Sequence, residues 1–222
     1  MTAALDKIRA EIDALDADLR LRLLRRAELV AEIGAAKADN GTQASPLRPM
    51  REMQQMRALR AWQRAEAPML SEAGLLAIWR EIIGMALAQQ GGITITASPQ
   101  AMPAARAHFG ASLEYQNFSG ALDALADNGR MIGVLTLAEA VAPPAGVGVF
   151  ARLPLIGDAT VLCYGARAQE DMKPQAVSLV RRAAAMPDDR ELYQGADYVL
   201  VETMNVGDDA VWGHYLTLGD AS

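Results

Sequence analysis

Cysteine is nearly missing from this chain: Cys163 is the only one among 222 residues. That argues against a disulfide framework and against a thiolate metal cluster. Histidine is almost as scarce, and the isolated His108 and His214 do not suggest a zinc site. No metal and no cofactor is expected. No apolar run approaches the roughly 20 residues that a membrane span needs. The first residues, MTAALDKIRAEID, read as a charged helix rather than a signal sequence, so a cytoplasmic protein without membrane contact is the expectation. Net positive charge is also lacking. The formal charge of -6 argues against nucleic acid as the main partner.

What the chain does have is apolar material, 51% of its residues, enough to fill the core of one large domain or two small ones. Charge is unevenly spread. Residues 1–90 carry 13 basic against 12 acidic residues, whereas residues 91–222 carry 8 against 15. Strand-like runs begin only after the glycine pair Gly91-Gly92, which ends a helical pattern. The expected division is therefore a helical domain over 1–90 and an α/β domain over 93–222.

In the first part, Leu5, Ile8, Ile12, Leu15, Leu19, Leu23, Val30 and Ile33 recur at steps suited to a long amphipathic helix. Continuing the count puts Arg26 and Lys37 on the same line, about three turns and about 16 Å apart. A second helix is expected from Pro49, a good first-turn residue, with Glu52, Met56 and Leu59 on one stripe. A third is expected after Ser71 as N-cap, with Leu75, Trp79, Ile83, Ala86 and Gln90 in line. Polar groups thus interrupt each apolar stripe. Buried charge is costly without a partner, so these groups pair with one another, as Glu52 could with Lys37 or Arg26, reach solvent, or await a ligand of opposite sign.

The segments IRAEIDALDADL, RRAELVAEIGAAK, RPMREMQQMRAL and IWREIIGMALAQQ, in this order and spacing, resemble the all-helical AroQ-type chorismate mutases over residues 5 to 90. The resemblance implies a three-helix chain, an intertwined homodimer built on the long first helices, and conversion of chorismate to prephenate in phenylalanine and tyrosine biosynthesis. It also implies roles for residues. Arg9 and Arg26 match the carboxylate-binding arginines, Arg51 an adjacent arginine, Lys37 and Gln90 the donors at the ether oxygen, and Glu52 the acceptor near the ring hydroxyl. Arg48 stands where some members have an aspartate, and Ala86 where some have a serine, so hydroxyl recognition leans more on Glu52. Arg9 lies roughly 25 Å along the helix from Arg26 and about 100° around it, which fits delivery from the partner chain.

Chorismate is a dianion whose rearrangement is unimolecular, one C–O bond breaking as one C–C bond forms. Neither nucleophile nor metal is required. Arginines can hold the two carboxylates with charge-assisted bonds in a compact conformer, and donors at the ether oxygen bind the transition state better than the ground state. An isochorismate-pyruvate lyase of the same fold, or a silent dimeric regulator of a shikimate-pathway enzyme, are the competing expectations.

In the second part, strands are expected over residues 92–98, 131–137, 146–153, 159–165, 197–204 and 213–219. Helices are expected over 99–110, 119–129 and 173–185, giving a small α/β domain with a mixed sheet, broken at Pro143-Pro144. The run from TITASPQAMPAARAHFG to FSGALDALADNGRMIGVLTL resembles the first lobe of prephenate dehydratase. That enzyme's Gly-rich opening and threonine-containing motif are not recognisable here, so its activity is not carried over. His108 reads as a surface or packing residue and Cys163 as a buried small hydrophobe. The acidic pairs Asp188-Asp189 and Asp208-Asp209 read as solvated loops.

Overall fold

The computed structural model describes residues 2–39, 45–166, 176–207 and 209–218. The chain divides into two compact units, Met1–Ala44 and Ser45–Ser222. The first is one helix, α1 (Thr2–Asp39), 38 residues long. Its run of Ala, Leu, Arg and Glu contains no proline, and Gly34 is its one glycine, so nothing interrupts the backbone ladder.

The second unit opens with α2 (Pro49–Glu66) and α3 (Glu72–Gln89). Pro49 starts α2 where its missing N–H costs nothing, and the helix stops ahead of Pro68, which disfavours helical backbone at Ala67. The Ser71 hydroxyl caps α3 by accepting from the Gly74 N–H at 3.2 Å. Gly91 and Gly92, with φ of 99° and 74°, end it in the left-handed region, as the glycine pair led us to expect.

Among the described residues there are four α-helices and nine strands, the strands forming one mixed sheet. In chain order they are β1 (Thr94–Ala97), β2 (Glu114–Asn117), β3 (Met131–Thr136), β4 (Val147–Leu153), β5 (Val161–Ala166), β6 (Val177–Arg182), β7 (Arg190–Gln194), β8 (Val199–Thr203) and β9 (Ala210–Tyr215). Helix α4 (Met102–Phe109) connects β1 to β2. The sheet order is β2-β1-β3-β5-β4-β9-β6-β8-β7. Strand β1 is parallel to β2 and β3, and β4 meets β9 in parallel through the single pair Val149 and Gly213. The other neighbours are antiparallel.

Alternation along the strands gives the sheet two apolar faces. On β5, Val161 and Cys163 join the core with α2, α3 and α4, while Leu162 and Tyr164 join a second core containing Leu179, Leu200 and Trp212. Helices α2 and α3 therefore bury Met53, Met56, Leu76, Ile83 and Leu87 against the same face as Ile95, Val134 and Leu153.

Some expectations fail here. Residues 177–182, expected to be helical, form β6, because pairing with β8 on one side and β9 on the other outweighs local helix propensity. The expected helix over 119–129 shrinks to a single 3-10 turn, Asp123–Leu125, hemmed in by Gly120 at positive φ and the Asn128-Gly129 turn. Asp189 is not solvated. It accepts from Arg182 Nη1 at 2.8 Å in a buried ion pair, and Asp209 also reaches Arg182, at 2.9 Å. Asp208 and residues 173–175 lie outside the described residues.

Candidate active site

The anticipated residues fall on both units. On α1, Leu5, Ile8, Ile12, Leu15 and Leu19 of the expected apolar line are 49–65% exposed, whereas Val30 on the same line is buried. Arg9 is exposed and sits 3.4 Å from Asp6, one turn earlier, a contact that binds it only loosely. Arg26 is half-buried, and loss of water contact lowers its pKa. Arg25, its neighbour, turns instead to Glu28 at 2.9 Å. Lys37 lies within α1, with its side chain outside the described residues.

In the second unit, Glu52 occupies the first turn of α2, where a carboxylate also opposes the positive end of the helix. It is buried together with Met53 and Met56. Its Oε1 accepts from the backbone N–H of Arg48 at 3.3 Å, and its Oε2 accepts from Nη1 of Arg80 at 3.2 Å. Arg48 turns its guanidinium back to the carbonyls of Ser45 (2.8 Å) and Leu47 (3.1 Å). Arg51, beside Glu52, is exposed. Ala86 is half-buried and brings no hydroxyl.

Gln90 is the C-cap of α3, half-buried, and its amide donates to the Ala86 carbonyl at 3.2 Å. The Gln90 carbonyl accepts from Arg130 Nη1 at 3.0 Å, and Gly92 from the same nitrogen at 3.3 Å. A cation from the turn before β3 thus closes the negative end of the helix that carries Gln90. Two further arginines of α2 hold the chain beyond β9: Arg57 donates to the Thr217 carbonyl at 2.7 Å and Arg60 to that of Leu218 at 3.3 Å.

Sequence reasoning missed Arg80. The buried line of α3 is Leu76, Arg80, Ile83 and Leu87, one position round from the expected stripe, of which Leu75, Trp79, Ala86 and Gln90 are only partly buried. The signal was present, since those four residues are spaced by four, three and four. An arginine in the middle of the line concealed it. His108, on α4, is buried rather than at the surface and packs edge-on against Phe109. Its pKa is pushed well below the ordinary value, first by burial and then by the nearby Arg80 charge. Cys163 is fully buried, as anticipated, and burial raises its thiol pKa.

In chemical terms the described parts present an exposed cation (Arg9), a partly desolvated one (Arg26), a buried carboxylate held by two donors, and an amide at a helix end.

Residues 8–91, which span α1 to α3, match the family model described as chorismate mutase type II. The mixed-sheet α/β region follows that match. No curated protein and no solved structure matches the chain.

Proposed function

We propose that this protein is a chorismate mutase that rearranges chorismate to prephenate on the route to phenylalanine and tyrosine. The observation that carries the reading is the match of residues 8–91 to chorismate mutase type II. Arg9, Arg26 and Arg51 bind the substrate, the first two through its carboxylates, and restrict it to the compact conformer from which the bond can form. Lys37 and Gln90 donate to the ether oxygen. Negative charge grows on that atom as the C–O bond breaks, so their bonds strengthen in the transition state. Glu52 accepts from the ring hydroxyl.

The protein acts as a homodimer in this reading, with Arg9 supplied by the partner chain, and works in the cytoplasm. The outward-facing leucines and isoleucines of α1 support that partner, since a contiguous apolar stripe in water is a docking face. No described helix is long and apolar enough to cross a membrane. In this reading the mutase chemistry belongs to residues 1–90, and residues 93–222 form an α/β domain of unknown role.

The test is direct. Purified full-length protein is mixed with chorismate, its absorbance is followed, and the product is identified. Prephenate formation is the expected result. Release of pyruvate and salicylate from isochorismate would establish the lyase instead, and absence of turnover with both substrates would leave a silent dimer.

A further inference from the structure

The Glu52 and Arg80 pair joins α2 to α3 across 28 residues of sequence, in the interior of the second unit. Both side chains are almost wholly buried, at 12% and 6% exposure. Among the described residues, Arg80 makes the contact through Nη1, and its buried Nε has no acceptor. A single-point ion pair that leaves a buried donor unsatisfied is a poor means of stabilising a fold. An apolar pair would pack the same space at lower cost.

The surroundings direct the charge. His108 of α4 and Cys163 of β5 lie near the Arg80 charge, and burial keeps both neutral near pH 7. Arg80 therefore acts on the Glu52 carboxylate. That carboxylate receives the Arg48 N–H on one oxygen and Arg80 on the other, which fixes the plane of the group.

We propose that Arg80 is a positioning residue, holding the Glu52 carboxylate in the orientation in which it accepts from the substrate hydroxyl. The inference rests on the mutase reading above. It assigns a task to a residue for which the resemblance gives none. It also places the charge of Arg80 near His108 and Cys163, which belong to the α/β region.

A double-variant cycle in the full chain tests it: wild type, Arg80→Gln, Glu52→Gln and the double variant, with kcat and KM for chorismate measured for each. Arg80→Gln is expected to lower kcat/KM by about tenfold or more in the wild-type background and by less than about twofold once Glu52 is already Gln. Should Arg80→Gln not fold, Arg80→Lys replaces it, with about a threefold loss expected in the wild-type background and none in Glu52→Gln. The same ratio in both backgrounds, including no loss in either, overturns the role of Arg80, since a residue serving only the fold acts whether or not Glu52 is present. A wild-type chain without mutase turnover would instead refute the functional reading itself.

Discussion

Gly213 of β9 lies so close to Val149 of β4 that a Cβ at position 213 would overlap the Val149 carbonyl oxygen. This is the one paired position between the two strands, and β4 and β9 join the β2-β1-β3-β5 side of the sheet to the β6-β8-β7 side. The missing side chain is what lets the halves meet. Gly213→Ala should therefore cost at least about 1–3 kcal/mol, the usual penalty for overfilling a packed interior. Urea denaturation of the variant, with a lower midpoint and an unchanged slope, checks this.

His108 gives the stability a pH dependence of known sign. Its folded pKa lies well below the 6.5 of an ordinary imidazole, so the unfolded chain takes up a proton that the native state refuses. The contribution is fully present above about pH 6.5 and is lost as pH falls from there toward the depressed native value, at up to about 1.4 kcal/mol per pH unit. Urea midpoints at pH 7.5, 6.5 and 5.5 should fall more steeply for wild type than for His108→Phe. Parallel curves would show that the imidazole titrates alike in both states.

The edges of the sheet explain most of what the sequence concealed. Strands β3, β4 and β5 were legible because both their faces are apolar, giving runs such as MIGVLT and VLCYGA. The unforeseen β2 and β7 lie at the two edges, where EYQN and RELYQ keep solvent contact and carry too little apolar alternation to be seen. Strand β6 failed for the opposite reason, since the arginines of VSLVRR suggest a polar helix face until Asp189 and Asp209 are found around Arg182. At the candidate site, spacing alone placed Glu52 on a buried stripe. It could not supply Arg80, because pairing partners 28 residues apart are a property of how α2 and α3 pack.

The terminal amine of Lys37 faces a simple demand in the proposed mechanism: to bind an oxygen whose charge appears only as the bond breaks. Its removal should then show in kcat rather than in KM. Lys37→Ala is expected to lower kcat by at least about 10²-fold with circular dichroism unchanged, the typical loss for one preorganised donor. A variant with near wild-type turnover would place the ether oxygen elsewhere.

Arg9 and Arg26 stand on one helix but about 25 Å apart along it, farther than the two carboxylates of one chorismate can span. If each substrate takes Arg26 from one chain and Arg9 from its partner, single variants at either position damage both sites of a homodimer. Mixing Arg9→Ala with Arg26→Ala changes the count: the exchanged heterodimer has one site lacking both arginines and one lacking neither. Activity of the mixture should rise toward about a quarter of wild type, since random exchange makes half the dimers mixed and each has one intact site. The exchange itself is followed by tagging one variant and isolating mixed dimers. Isolated mixed dimers no more active than their parents would mean that Arg9 serves its own chain or no site at all, and the exposed leucines of α1 would then need a different partner.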